Sequence, residues 1–280
     1  MLFILTFILP FGSFLFFLVR TIVNHQPIGW GLFEGVLAFF SSFLLIAIIT
    51  ILLLIFLGKY LANHYNPKGK FRHFFIRDIA RLSCFWLGVK YEIEGLEKIP
   101  KDKPFVIYTN HQSFLDMFIF FVVLKDFPHA SLYKDEHDRN PIIGPIAKAL
   151  GGMGIDRHND YKTAEVIIKV IKEVRKGVNF MIYPEGTRSK GPNLNPFRAG
   201  AFKVVQKSGA NLVIMAHDGA YRIARRMPFQ TTKVVIKIVE VIPNELIKNK
   251  NTHELSDYVY HQIEETIDEM RKNRKDLKVF

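Results

Sequence analysis

The chain of 280 residues has a formal charge of +12, yet 49% of it is hydrophobic and 26 residues are Phe. A basic nucleic-acid binder rarely carries so much apolar surface, so no nucleic-acid partner is expected. A membrane protein with a basic face toward anionic lipid fits both properties. The lone cysteine, Cys84, excludes an intrachain disulfide and a zinc site built on clustered cysteines.

Two apolar runs open the chain. Residues 1–19 carry no charge and, at about 1.5 Å per residue, reach about 28 Å, enough to span a bilayer with little tilt. Residues 36–57 reach about 33 Å against a hydrocarbon core of about 30 Å and are expected to form a transmembrane helix. Pro10 and Gly12 leave the first run open to a kink or a re-entrant path. It has neither the basic start nor the small-residue cleavage site of a signal peptide. The link between the runs carries only Arg20 and Glu34, whereas Lys59, Lys68, Lys70, Arg72, Arg77 and Arg81 follow the second. The positive-inside rule then gives a membrane hairpin over residues 1–58, integral to the cell membrane, with all that follows on the cytoplasmic face.

Residues 59–90 read as a linker and an amphipathic helix. Phe71, Phe74, Phe75, Ile79, Leu82 and Phe85 recur at helical spacing, with Arg72, Arg77, Asp78 and Arg81 between them. Such a helix can lie among lipid headgroups or pack on a soluble core, and the pattern leaves both open.

From residue 91 to 280 the pattern alternates between β and α. Strands are expected at 91–94, 105–108, 131–133, 153–155, 180–183, 212–216 and 233–241. Helices are expected at 117–124, 141–150, 161–176, 200–207 and 254–272. Strands separated by helices imply an α/β fold: a mixed, largely parallel sheet flanked by helices, behind the N-terminal helical hairpin. Sites in such sheets form in loops at the carboxyl ends of strands. The tail from Asn244 mixes both charge signs and reads as an exposed helix.

The strand at 105–108 runs into Asn110-His111-Gln112-Ser113-Phe114-Leu115-Asp116 and then an apolar helix. Within one helix, residues five apart are about 140° apart around the axis and cannot meet. His73 and Asp78, inside the helical pattern of 71–86, are such a pair. With His111 in a turn and Asp116 at the helix entrance, the two side chains can meet. The carboxylate then keeps one imidazole nitrogen protonated and leaves the other as a base. Other charged loops also follow strands: Asp156-Arg157, Pro184-Glu185-Gly186-Thr187-Arg188-Ser189, and Asn195-Pro196-Phe197-Arg198-Ala199-Gly200. A glycine between Glu185 and Arg188 lets backbone approach a bound group, and N–H, hydroxyl and guanidinium donors there suit a phosphate. A surface salt bridge across the turn would use the same residues.

Taken in order, Asn110-His111-x4-Asp116, Gly151-x-x-x-Ile155-Asp156-Arg157 and Pro184-Glu185-Gly186-Thr187-Arg188-Ser189 resemble the first three motifs of the glycerolipid acyltransferases, most closely the 1-acylglycerol-3-phosphate acyltransferase family. The resemblance spans residues 91–241. It implies transfer of an acyl group from an acyl thioester, with acyl-coenzyme A or acyl-carrier protein as co-substrate, to the free hydroxyl of lysophosphatidic acid. The product would be phosphatidic acid. On this resemblance His111 is the general base, Asp116 orients it, and Arg157, Glu185, Gly186, Thr187 and Arg188 bind the glycerol phosphate. No cofactor and no metal is implied. Gly154 stands where the family usually has Phe, and Ile214 where it has Pro, at positions thought to shape substrate fit. The same base would serve another lysophospholipid or glycerol 3-phosphate as acceptor. A non-catalytic membrane scaffold is the reading from another class.

Overall fold

The computed structural model describes residues 2–64, 70–226, 230–274 and 277. Met1, at the start of the first apolar run, and Lys68, in the basic flank of the second, lie outside them.

The first run and its flank form one helix, α1 (Leu2–Val23), which continues through Pro10 and Gly12. The second forms α2 (Ile28–Asn63), long and apolar enough to cross a membrane. Small residues set their approach. A Cβ on Gly31 would overlap the Thr21 side chain, and one on Gly35 would come within 3.0 Å of the Phe14 ring. Ser13 and Ser42 hydroxyls meet at 3.1 Å. In these pairs the α1 number falls as the α2 number rises, so the helices run antiparallel. Small residues at such spacing let backbones pack closely in lipid, where apolar burial gives no driving force. Arg20 and Glu34, the charges noted between the runs, approach to 3.9 Å. Phe11, Phe16, Trp30, Phe33, Phe40 and Phe56 face outward.

The helix α3 (Lys70–Trp86) packs on the α/β core, the second of the two readings left open for it. Ile76, Ala80 and Cys84, four apart, are buried, while Phe71, Phe74, Phe85 and Trp86 are exposed. His73 and Asp78 both lie in this helix. Burial pushes the Cys84 thiol up to about 11.

Among the described residues seven strands follow: β1 (Val89–Glu94), β2 (Phe105–Thr109), β3 (His129–Lys134), β4 (Met153–Ile155), β5 (Asn179–Ile182), β6 (Asn211–Asp218) and β7 (Thr232–Ile242). They form one sheet in the order β1-β7-β6-β2-β5-β3-β4. Only the β6–β7 pair is antiparallel, so the sheet is mixed and largely parallel, as the sequence implied. The central strands β2 and β6 are buried throughout, the pattern of strands covered on both faces. Alternation divides them between two cores. Val106, Tyr108, Leu212 and Ile214 join the helices α6 (Asp160–Arg175), α7 (Lys203–Ser208) and α9 (Thr252–Asn273). Phe105, Ile107, Val213 and Met215 face the side of α3 and α4 (Asp116–Val123). The remaining helices are α5 (Ile143–Ala149) and the short α8 (Ile223–Arg226). α2 runs past residue 58, and Gly58 lies 3.4 Å from Pro145 and 3.5 Å from Ile146 of α5, counted from a Cβ built on it.

Two sequence expectations are amended, and the departure at Gly154 has a steric setting. The helix at 200–207 begins as a 3-10 turn, Ala199–Phe202, before α7. Gly154 has no room for the family's Phe, because a Cβ there would sit 3.2 Å from the Asp135 backbone and 3.4 Å from the Tyr133 ring. The C-terminal helix is not an exposed tail. Leu255, Val259, Ile263, Ile267 and Met270 of α9 are buried on one stripe at helical spacing, and its charges cover the other faces. Replacing the fully buried Ile263 with Ala is expected to cost about 2–5 kcal/mol, read as a lowered urea midpoint for the detergent-solubilised protein. An unchanged midpoint would mean that α9 does not close this core.

Candidate active site

The parallel strands β2, β5, β6, β3 and β4 all end on one edge of the sheet, and the charged loops meet there. β2 ends at Thr109, where the chain turns and enters α4 with Asp116 as its first residue. His111 Nδ1 lies 2.8 Å from Asp116 Oδ2. The same oxygen accepts the backbone N–H groups of Gln112, at 2.8 Å, and Ser113, at 2.9 Å. A carboxylate only accepts, so Nδ1 carries the proton and Nε2 keeps its lone pair. Burial alone would raise the Asp116 carboxyl. The neighbouring His217 ring and the hydrogen bond from His111 outweigh it and hold the group well below the usual carboxylate range.

The turn is locked to the 183–189 loop after β5. Ser189 N–H donates to the His111 carbonyl at 2.8 Å, and His111 N–H donates to Glu185 Oε1 at 2.6 Å. The Tyr183 ring stacks on the imidazole with centroids 4.1 Å apart. Its buried hydroxyl has no hydrogen-bond partner among the described residues, and burial, then the Asp116 charge, raise its pKa well above the phenol range.

Glu185 is placed differently from its expected role as a phosphate ligand. Its second oxygen accepts Asn195 N–H at 2.9 Å, so both oxygens are spent on backbone and the side chain is buried. Two anions would also repel. Burial raises its pKa to about 7 despite these two bonds. Gly186 adopts φ 69°, and a Cβ there would sit 2.8 Å from Arg198 Nε, so the glycine makes room for that guanidinium. Arg198 is a residue the sequence showed in a charged loop without assigning it. Burial, then repulsion from Arg198 and Arg188, lower the Arg157 pKa, and Arg157 Nε has no hydrogen-bond partner among the described residues. Three clustered cations of this kind can bind a multiply charged anion such as a phosphate.

His111, Tyr183, Arg157, Thr187 and Arg188 line one part of a cavity of about 390 Å³. Lys134, Glu136, His137 and Lys190 also line it, and most of the remaining wall is apolar: Ile76 and Ile79 from α3, Phe114, Met117, Phe118 and Phe121 around α4, and Ile143, Ile146 and Ala147 from α5. Of the predicted residues, His111, Arg157, Thr187 and Arg188 reach the cavity, while Asp116, Glu185 and Gly186 support them from behind. Among the described residues no group of three or more His, Cys, Asp or Glu side chains could hold a metal ion.

Sequence reasoning missed the buried polar residues behind the turn. Asp218, at the end of β6, accepts from Arg271 Nε at 2.8 Å, Arg271 Nη2 at 2.8 Å and Gln112 Nε2 at 2.9 Å. Arg271 also donates to the Pro192 carbonyl at 2.6 Å, so α9 braces both loops. The one available signal was a His-Asp pair closing an apolar strand. Ile214, where the family has Pro, is fully buried in the core shared with α9, away from the cavity wall.

A family model described as Acyltransferase matches residues 90–236. The 1-acyl-sn-glycerol-3-phosphate acyltransferase LPAT1, chloroplastic, of Arabidopsis thaliana is 32% identical over 195 residues, covering 69% of this chain and 52% of its own length. The 1-acyl-sn-glycerol-3-phosphate acyltransferase of Borreliella burgdorferi is 29% identical over 138 residues, covering 49% of this chain and 55% of its own. The chain thus spans about half the length of these curated relatives. The crystal structure of the 1-acyl-sn-glycerophosphate (LPA) acyltransferase PlsC from Thermotoga maritima shares the fold, with a TM-score of 0.64 and 22% identity over 80% of this chain and 92% of that one. With its motifs on one sheet edge and a family model over more than half its length, the chain belongs to the acyltransferase family.

Proposed function

We propose that this protein transfers a fatty acyl group from an acyl thioester, carried on coenzyme A or acyl-carrier protein, to the free hydroxyl of 1-acylglycerol 3-phosphate, giving phosphatidic acid. The observation that carries this reading is the His111–Asp116 hydrogen bond of 2.8 Å, whose imidazole opens on a cavity with a charged part that includes Arg157 and Arg188 and a large apolar part from α3, α4 and α5. The activities for which the relatives are named support the same acceptor.

In the proposed step, His111 Nε2 takes the hydroxyl proton as the oxygen attacks the thioester carbonyl carbon. A C–O bond forms, the tetrahedral centre collapses, the C–S bond breaks, and the departing sulfur takes the proton back from His111. Proton removal by a placed imidazole is worth about 10²–10⁴-fold, and holding alcohol and thioester together lowers the barrier by about 7–11 kcal/mol. Arg157, Thr187 and Arg188 hold the phosphate, with Arg198 beside them. Glu185 holds the loop that presents them. The reaction as written needs no metal or redox cofactor.

The acceptor is a lipid, and the membrane reading serves it. α2 is long and apolar enough to cross a bilayer, α3 exposes Phe71, Phe74, Phe85 and Trp86, and the inner residues Ile76 and Ile79 of α3 line the cavity. We take the hairpin as integral to the membrane and the α/β domain as cytoplasmic, with anionic lipid against the basic flank. The amphiphile then enters from the bilayer.

Purified protein in detergent, given a panel of lysophospholipids and glycerol 3-phosphate with both donor types, should form phosphatidic acid by mass; a preference for another acceptor would reassign the substrate. His111→Ala should lower kcat by about 10²–10⁴-fold, whereas a scaffold would be indifferent to it. Arg188→Ala should raise the KM for the phosphorylated acceptor, and a lowered kcat at unchanged KM would remove Arg188 from the phosphate site. Glu185 adds a pH signature. Its folded-state pKa of about 7 lies above the usual Glu value, so its contribution to stability is full below about pH 4.5 and is lost as pH rises through 7. Glu185→Gln, neutral at every pH, should remove that component from the urea midpoint between those limits. A variant that keeps the wild-type pH dependence would place the titration elsewhere.

A further inference from the structure

His217 is fully buried at the end of β6, and its Nε2 lies 3.3 Å from Asp116 Oδ1. Among the described residues neither atom has a hydrogen-bond partner, so the approach is a close polar contact whose angle falls short of a hydrogen bond. Asp116 Oδ2, by contrast, has three donors. On the far side of the ring, Thr109 Oγ1 is 3.4 Å from His217 Nδ1. The backbone is held from both sides by one side chain: Asn110 Nδ2 donates to the His217 carbonyl at 2.9 Å, and His217 N–H donates to Asn110 Oδ1 at 3.0 Å. Phe120 meets the ring edge-on at 5.0 Å. A lone pair aimed at a carboxylate oxygen would repel it, so the proton sits on Nε2, and the threonine hydroxyl donates to Nδ1.

We propose that His217 is a positioning residue for the transfer reaction, its buried ring set 3.3 Å from the second oxygen of Asp116 so that one carboxylate lies between two imidazoles and stays set against His111. The inference rests on the reading of His111 as the base. Without His217, Oδ1 loses its one polar neighbour among the described residues and the carboxylate gains freedom to turn. Its charge then falls on His111 alone, which binds its proton more tightly, so less of the imidazole is free to take a proton on the acid side of the profile. The other titratable groups around the pair are Tyr183 and Glu185 from the β5 loop, and Asp218 beside His217, itself held by Arg271 of α9.

The test is the pH dependence of kcat and kcat/KM for the full chain in detergent, with an acyl thioester and 1-acylglycerol 3-phosphate. His217→Leu should move the acid limb up by about one pH unit and so lower the rate about tenfold on that side, with the acceptor KM unchanged. His217→Gln, which retains an N–H donor, should recover most of the loss. Folded His217→Leu with the wild-type limb and kcat would overturn the inference, as would equal impairment of both variants at an unmoved limb. If His217→Leu fails to fold, Thr109→Val removes only the hydroxyl at Nδ1; it should displace the limb the same way by less, and an unmoved limb overturns the inference. Wild-type protein that forms no product, or His111→Ala as active as wild type, would instead remove the functional reading and this inference with it. Active, His111-dependent enzyme with indifferent His217 variants would remove this inference alone.

Discussion

A carboxylate with none of its surface in water sits at the meeting point of three sheet strands, and the site is arranged to keep it ionised. Taking such a group out of solvent costs several kcal/mol unless donors surround it. Asp116 draws its donors from the turn after β2, through His111, Gln112 and Ser113, and has His217 from β6 at its other oxygen. The parallel register of these strands, with Thr109 opposite Met215, brings the two sources together. Asn110 then extends that ladder beyond the last backbone pair, its side-chain amide making the two bonds to His217 that a further residue of strand would make. The imidazole that opens on the cavity is therefore fixed by strand pairing as much as by its neighbour five residues on.

Charge is sorted around this point. Three acids are buried behind the turn and each holds something there. Asp116 holds the imidazoles, Glu185 two backbone N–H groups, and Asp218 the side chains of Arg271 and Gln112. The cations Arg157, Arg188 and Arg198 cluster on the cavity side, where none of them pairs with a carboxylate among the described residues. An anion entering the cavity meets Arg157 and Arg188, while the three buried carboxylates lie behind the turn and the Glu136 carboxylate shares the lining near Arg157. That separation lets one small site hold a phosphate and a base without either neutralising the other.

What could be read from the chain was the chemistry carried by short separations. The strand–turn–helix around residues 105–124, the placement of His111 opposite Asp116, and the Glu185–Arg188 loop all follow from local pattern. The sheet class followed from alternation. The order β1-β7-β6-β2-β5-β3-β4 did not, because nothing in a strand's own residues names its neighbours. The contacts that depend on that order were hidden with it: His217 against Asp116, and Arg271 against Asp218. α9 was mistaken for an exposed tail because its charges are numerous, although the five buried apolar positions lie along one stripe. Glu185 was taken for a ligand because the motif names it, and only the backbone donors around it show what it holds.

The cavity also has a direction that no single motif contains. Its polar lining comes from loops at strand ends, and its apolar lining from α3, α4 and α5. Two of those helices are tied to the hydrophobic N-terminus: Gly58 of α2 packs on Pro145 and Ile146 of α5, and Phe43 of α2 meets Trp86 of α3 at 5.8 Å. The apolar N-terminal helices therefore help to build the greasy part of the cavity, while the sheet edge builds most of the charged part. A molecule with one anionic end and one long apolar end has a single favourable orientation there, because reversing it would bury the anion among phenylalanines and place methylenes on arginines. That asymmetry ties the membrane segment to the chemistry: the hairpin supports the wall against which the acyl chain is proposed to lie.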